Sequence, residues 1–182
     1  MVRGEEVKFT YADPPYHGMG KKLYNHAEWD EKETHLALVN RLVAEYQDGW
    51  VLSCNPRDLV WMLPGACQAA PDVRVGVWVK TYHQIRPTTV QYAFEAVLFR
   101  GGRKENGRKP MVRDWISAPA TRLKGLPGAK PPAFNDWVLQ LMNFNPVQDQ
   151  FDDLYPGTKG IEAAVQRATE KWEAEHGPHE EE

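Results

Sequence analysis

Short apolar segments that alternate with helical patterns place the strongest constraint on the fold of this chain. Strand patterns occur at residues 7–12, 50–54, 73–79, 90–99 and 151–155, and long helix patterns occur at 28–47, 135–144 and 161–175. Chains in which strands and helices alternate form a sheet with helices packed against it. We therefore expect an α/β fold with flanking helices, in a single domain over residues 1–182.

Local signals predict where several of these helices begin and end. Asn25 with Glu28 forms a capping-box pattern before the first long helix, and Asn135 is placed to cap the second. A shorter helical turn is predicted at 57–62, because Pro64 and Gly65 follow it and both disfavour a continuing helix.

Two turns in this pattern contain residues suited to a binding site. Residues 13–16 follow the first strand, and residues 156–160 follow the last strand and lead into a helix. In open α/β sheets, ligands bind beyond the carboxyl ends of the strands. We therefore expect both turns to face one shared crevice.

The first turn reads Asp13-Pro14-Pro15-Tyr16. A carboxylate and a neighbouring carbonyl can accept hydrogen bonds from the two N–H groups of an aromatic amine, which exposes the nitrogen lone pair. The prolines fix the backbone, so that both acceptors are preorganised, and the tyrosine offers a flat face for an extruded base. The alternative is a tight Asp-Pro turn with a packed tyrosine.

Asp13-Pro14-Pro15-Tyr16 after a strand resembles the catalytic motif of the amino-methyltransferases that use S-adenosylmethionine. Two more segments are similar to permuted members of that family, in which the catalytic motif precedes the cofactor motif. Residues 128–131 resemble their Lys-Pro segment, and residues 153–160 resemble their glycine-containing cofactor motif. The resemblance covers about residues 7–168 in the family's order and implies a permuted, Rossmann-like methyltransferase sheet.

The resemblance also implies an activity and a set of site residues. The expected reaction is methylation of the exocyclic amine of adenine in DNA, with adenine or cytosine amines in RNA as chemically similar targets. The implied catalytic residues are Asp13, Pro14, Pro15 and Tyr16. The implied residues around S-adenosylmethionine are Lys130, Asp153, Tyr155, Gly157 and Gly160.

Two departures from the family pattern support a second hypothesis. Lys159 stands where the family has its second glycine, unless Gly160 replaces it after a shift of one residue. Family members also continue into a strand that ends in an acidic residue, whereas only residues 177–182 follow the last helix here, so the sheet is expected to be truncated. Glu173 or Glu175 would then have to substitute. The second hypothesis is an inactive relative that binds DNA or protein, or a subunit completed by another chain.

The charge distribution indicates where a nucleic acid would bind. Residues 100–113 contain six basic residues and one glutamate, whereas residues 176–182 form an acidic tail. The predicted phosphate contacts are Arg100, Arg103, Lys104, Arg108 and Lys109. A solvated basic loop without a partner is the alternative interpretation.

Other functional classes are disfavoured by what the sequence contains. No apolar run is long enough to cross a bilayer, and residues 1–6 are polar, which favours a cytoplasmic location. The histidines and cysteines are not spaced as metal ligands, so no metal is expected. The two serines, Ser53 and Ser117, do not lie in a nucleophile elbow.

Overall fold

The computed structural model describes residues 7–81, 89–104, 111–120 and 129–177. The strands are β1 (Val7–Ala12), β2 (Gly49–Cys54), β3 (Arg74–Lys80), β4 (Phe94–Gly101), β5 (Trp115–Ala118) and β6 (Asp149–Asp153). The helices are α1 (Lys32–Glu45), α2 (Leu59–Ala69), α3 (Pro132–Leu141) and α4 (Gly160–His176). These elements confirm the predicted α/β fold with flanking helices.

The six strands form one mixed sheet in the order β5-β3-β4-β2-β1-β6. β1 is parallel to both of its neighbours, β2 and β6, and β5 is parallel to β3. β4 is antiparallel to β2 and to β3. The first residues of β4 therefore lie at the edge of the sheet where the other strands end, with Glu95 opposite Trp78.

Each face of the sheet has its own apolar core, because side chains alternate along the strands. Trp50 and Leu52 of β2 pack with α1 and α2, whereas Val51 packs with α3 and α4. The chain leaves β1 for α1 on one face and leaves β6 for α4 on the other. The β1–β6 boundary is thus a switch point of the sheet, and a crevice is expected at the carboxyl ends of these two strands.

Helix α2 extends further than the sequence predicts. Pro64 was expected to end the helical turn at 57–62, but it lies inside α2, which continues to Ala69. The apolar residues Met62 and Ala66 are buried in the core under this helix. Gly65 packs on α1, since a Cβ atom there would lie 2.5 Å from Leu36 Cδ2. This packing outweighs the loss of one helical hydrogen bond at the proline.

Both predicted N-terminal caps were wrong. Asn25 adopts a left-handed conformation with φ 58° at the end of a short helical turn, and α1 begins only at Lys32. Asn135 lies within α3, which begins at Pro132, and it is buried. Proline is well suited to the first helical turn because its missing N–H has no partner there in any helix.

Strand boundaries also differ from the predictions by a few residues. β4 begins at Phe94 and not at residue 90, and β6 spans Asp149–Asp153 and not 151–155. The short strand β5 was missed, because its exposed Trp115 gives it no clear apolar alternation. Within the residues that the structure describes, all helices are too short or too polar for a transmembrane span.

Candidate active site

A cavity of about 610 Å³ lies at the carboxyl edge of the sheet, between the ends of β1 and β6. The two turns singled out in the sequence, residues 13–16 and 156–160, both contribute to its wall. All nine predicted catalytic and cofactor-binding residues line it: Asp13, Pro14, Pro15, Tyr16, Lys130, Asp153, Tyr155, Gly157 and Gly160. The structure thus brings together the groups that were predicted to face one crevice.

The backbone places the turns where the strands end. Asp13 follows directly after Ala12, whose register partner on β2 is Leu52. After β6, the Leu154 N–H donates to the Tyr11 carbonyl at 3.0 Å, so the start of the second turn is bonded to the strand that carries the first. The Asp153 carboxylate also accepts the Tyr155 N–H at 3.1 Å, which shapes the second turn.

Lys130 is the centre of a charged network beneath the first turn. Its Nζ lies 3.0 Å and 2.9 Å from the two carboxylate oxygens of Asp13 and 3.2 Å from Glu95 Oε2. It also donates to the Tyr16 hydroxyl at 3.2 Å. The Lys130 side chain is only 7% exposed, so these charge pairs are largely shielded from water.

Glu95 connects this network to a second lysine and to the tyrosine. Its carboxylate pairs with Lys80 as well as Lys130 and accepts a hydrogen bond from the Tyr16 hydroxyl at 2.7 Å. Desolvation by itself would raise the pKa of Glu95, but the two lysines lower that pKa to about 2. Glu95 is therefore ionised at neutral pH, and two carboxylates face two ammonium groups.

The pKa values of the other two members follow from the same geometry. Desolvation raises the pKa of Asp13 and Lys130 opposes that rise, with a net pKa above the usual range for aspartate. Desolvation would lower the pKa of Lys130, but Asp13, Tyr16 and Glu95 together raise it well above its ordinary value. Lys130 is consequently a permanent cation beside the first turn.

The second turn leaves room for a ligand in a way that the sequence did not predict. Lys159 adopts φ 54°, the left-handed region in which glycine is favoured. Its side chain is 73% exposed, pairs with Glu162 at 3.2 Å and lies outside the cavity wall. A Cβ atom on Gly157 would meet only the Tyr155 carbonyl at 3.8 Å, whereas one on Gly160 would lie 2.4 Å from Asn135 Nδ2.

Aromatic side chains form much of the remaining wall. Trp29 and Tyr155 meet edge to face, with ring centroids 5.6 Å apart. Tyr24 lies at the cavity mouth. Glu28 lines the same region and pairs with His26 at 2.9 Å. Glu173 and Glu175, the substitutes considered for a missing acidic residue, do not line this cavity.

Of the predicted phosphate-contacting residues, the three that the structure describes lie away from the cavity. Arg100 pairs with Asp72 at 2.6 Å, and Arg103 Nε donates to Asp149 at 3.0 Å. Asp149 is the first residue of β6, so Arg103 and the adjacent Lys104 lie at the edge of the sheet opposite the cavity. Arg108 and Lys109 fall outside the described residues.

Glu95 and Lys80 are the main site residues that the sequence patterns did not predict. A signal for Glu95 was present, because it is the one carboxylate in the apolar run 94–99, and charged residues in buried strands are normally paired. Lys80 ends β3, at the same edge of the sheet. No local pattern indicated that Tyr24 and Trp29 would line the cavity, because their positions depend on the path of the chain between β1 and α1.

Among the described residues, no group of three or more histidine, cysteine, aspartate or glutamate side chains could hold a metal ion. His17, next to the first turn, lies 3.7 Å from Asp58 and meets Trp61 edge to face at 5.6 Å between centroids.

Comparisons with known proteins support the fold. No protein-family model and no curated protein matches the chain. Among solved structures, M1.HpyAVI in complex with SAM is similar with 16% identity and a TM-score of 0.60, over 90% of this chain and 79% of that one. A second structure of M1.HpyAVI has 13% identity and a TM-score of 0.59, over 90% and 77%.

TTHA0409 of Thermus thermophilus, which has been assigned as a DNA modification methylase, is also similar. Its identity is 15% and its TM-score 0.56, over 96% of this chain and 89% of that one. At these identities the likeness establishes the fold alone, a methyltransferase-like mixed sheet of six strands with flanking helices.

Proposed function

We propose that this protein transfers a methyl group from S-adenosylmethionine to the exocyclic amine of adenine in DNA. The observation that carries the proposal is the single cavity shared by the Asp13–Tyr16 turn and the Asp153–Gly160 turn. The similar fold of M1.HpyAVI, which was solved with SAM, and of TTHA0409, which has been assigned as a DNA modification methylase, supports it.

The cavity fits a cofactor of this kind in size and chemistry. Its volume of about 610 Å³ lies within the range of small-molecule sites. Asp153, Tyr155 and Gly157 surround the part of the cavity next to the N-terminus of α4, and Gly157 carries no side chain that would fill it. Trp29 and Tyr155 present apolar surface, and Glu28 presents a carboxylate that can accept hydroxyl hydrogens. When bound, S-adenosylmethionine supplies an electrophilic methyl group on a sulfonium.

Asp13 and the Pro14 carbonyl activate the target amine. Each accepts a hydrogen bond from one N–H of the amine, so that the nitrogen lone pair leaves conjugation with the ring and points away from both acceptors. After the new nitrogen–carbon bond has formed, the nitrogen carries an extra proton. The Asp13 carboxylate accepts that proton, which its position beside the amine and its raised pKa both favour.

Lys130 and Glu95 determine how the Asp13 carboxylate is paired. Lys130 holds both oxygens of the carboxylate, and an incoming amine replaces one of these contacts. Glu95 keeps a second carboxylate beside the lysine, so the ammonium remains paired when Asp13 turns to the amine. Tyr16 is held through its hydroxyl by Glu95, which fixes the ring on the cavity wall.

A methyl-transfer assay with labelled cofactor and DNA tests this proposal. Wild-type protein should label DNA, with the label recovered as N6-methyladenine after digestion. Asp13→Ala should abolish transfer, and Asp13→Asn should lower it strongly, since an amide cannot take the proton. Both variants should keep the wild-type circular dichroism spectrum.

Calorimetry with S-adenosylmethionine separates this proposal from the inactive binding module. The enzyme should bind the cofactor, and Gly157→Val should weaken binding because a branched side chain enters the cavity, whereas Lys159→Ala should not. No heat of binding to folded wild-type protein, together with no labelled DNA, would refute the enzymatic proposal.

A further inference from the structure

A short helical turn at the mouth of the cavity is exposed on one side and contacts the site on the other. We call the residues Gly20–Tyr24 the rim turn. Leu23 and Tyr24 are 49% and 46% exposed, and both line the cavity, as does the neighbouring Met19. Large apolar side chains held half-exposed beside a cavity are typical of a surface that meets a partner.

The rim turn is held in a fixed shape. The Asp30 carboxylate accepts the Gly20 N–H at 2.8 Å, and Asn25, with φ 58°, closes the turn with its N–H on the Gly20 carbonyl. A Cβ atom on Gly20 would lie 2.2 Å from the His26 carbonyl oxygen, so only glycine fits there. The exposed side chains are therefore presented by a rigid backbone.

Basic side chains lie next to the apolar ones. Lys21 and Lys22 are both exposed, and neither ammonium group forms an ion pair within the described part of the chain. The carboxylate of Asp30, which follows the rim turn in the chain, accepts hydrogen bonds from the backbone N–H groups of Gly20 and Lys21. The rim turn thus combines two available cations with an exposed aromatic ring.

Tyr24 is better placed than Tyr16 to receive a base from outside. The Tyr16 hydroxyl is bonded to Glu95, and Lys130 Nζ lies 5.4 Å from the centre of its ring. Tyr24 has a half-exposed ring at the cavity mouth. Tyr24 and Asp13 line the same cavity, and burial together with the neighbouring charge of Asp13 raises the pKa of Tyr24.

We propose that the rim turn binds single-stranded DNA, with a base stacked on the Tyr24 ring and with Lys21 and Lys22 on the flanking phosphates. This inference rests on the proposed function, for which it names the form of the substrate. An exposed ring can stack only on a base that has left the duplex stack, and an aromatic ring with adjacent cations is the usual means of holding such a strand. The earlier basic candidates, Arg100 and Arg103, are ion-paired at the opposite edge of the sheet.

The inference is tested by measuring how tightly the protein binds a labelled oligo(dA) strand of about 12 nucleotides, with fluorescence anisotropy as the signal and without cofactor. Tyr24→Ala should weaken binding about tenfold, whereas Tyr24→Phe should bind like wild type because the ring is retained. The double variant Lys21→Ala/Lys22→Ala should reduce the slope of log affinity against log salt by about 1.4, which corresponds to two lost phosphate contacts on a single strand.

Two exposed residues away from the cavity supply matched control variants. Lys104 is an exposed lysine and Trp115 an exposed aromatic residue away from the cavity wall, so Lys104→Ala and Trp115→Ala should leave binding unchanged. Circular dichroism and thermal unfolding would verify that each variant is folded. Wild-type affinity in Tyr24→Ala and in the double lysine variant would overturn the inference, and so would equal affinity for a blunt duplex.

A parallel methyl-transfer measurement distinguishes the two proposals. Transfer to DNA that persists unchanged in Tyr24→Ala would overturn the role of the rim turn and leave the enzymatic proposal standing. Binding of the strand that depends on Tyr24, without any transfer by wild-type protein, would support the rim turn and count against the enzyme.

Discussion

The substitution Glu95→Gln tests how much the charged network contributes to the stability of the fold, without an activity measurement. Glutamine keeps the shape of the side chain and an acceptor for the Tyr16 hydroxyl, but it removes the negative charge that faces Lys80 and Lys130. The Glu95 side chain is only 12% exposed, so solvent screens these pairs weakly. We expect the variant to fold with lower stability at neutral pH.

The expected size of the effect follows from the pKa of Glu95. That pKa falls from an ordinary value of 4.5 to about 2 on folding. At about 1.4 kcal/mol per pKa unit, the ionised carboxylate stabilises the fold by about 3 kcal/mol at neutral pH. Because the folded-state pKa is depressed, this stabilisation is present above pH 4.5 and is lost as the pH falls toward 2.

Urea unfolding of wild type and Glu95→Gln at about pH 5 and about pH 3 measures this loss directly. The free energy of unfolding of wild type should exceed that of the variant at the higher pH. The difference between the two proteins should shrink by about 2 kcal/mol at the lower pH. Carboxylates outside the network titrate in both proteins and cancel in the comparison, whereas the pKa of Asp13 should fall in the variant because the charge of Glu95 raises it in wild type.

A surface substitution supplies the control. Glu45→Gln removes an exposed carboxylate that pairs with Arg41 on the same helix, and it should change the free energy of unfolding by less than about 0.5 kcal/mol. If the difference between wild type and Glu95→Gln were the same at both pH values, the proposed coupling of Glu95 to the two lysines would be wrong.

Three further predictions concern backbone strain, packing and the basic segment. Lys159→Gly should raise the free energy of unfolding by about 1 kcal/mol in urea titrations, because it relieves a left-handed conformation, whereas Lys159→Ala should give no gain. Gly160→Ala should lower the thermal midpoint, since its Cβ atom would meet the Asn135 amide at 2.4 Å, and adding Asn135→Ala should recover most of the loss. Arg103→Ala should lower the free energy of unfolding by about 3 kcal/mol in urea titrations, because the buried Asp149 carboxylate loses its cationic partner and keeps the Asn145 N–H, whereas Lys104→Ala should lower it by almost nothing; equal small effects would show that Arg103 is not structural.

Much of the site could be predicted from the sequence because its key residues occupy strand ends. The turns after β1 and β6 were identified from apolar runs and from proline and glycine, and the rule that ligands bind at the carboxyl ends of strands placed them together. Lys130 was also assigned to this site, although its direct pairing with Asp13 was not foreseen.

The remaining features depend on contacts that no local pattern encodes. The antiparallel direction of β4 brings Glu95 to the cavity, and strand direction is set by how the whole sheet assembles. Helix α2 continues through Pro64 because Gly65 packs closely against Leu36, which lies almost thirty positions earlier in the chain. Tyr24 reaches the cavity mouth because a hydrogen bond from the Gly20 N–H to Asp30 holds the turn that carries it.

The pairing of β1 with β6 has a consequence for how activity arises during synthesis and refolding. Asp13 and Lys130 are separated by 117 positions, and the Thr10 hydroxyl bonds to a carbonyl 142 positions away. Contacts this distant form only after long loops have closed, so they belong to the slow part of folding. A growing chain that carries the Asp-Pro turn therefore has no ligand crevice until its last strand has docked, and recovery of binding should lag behind recovery of helical signal when the denatured protein refolds.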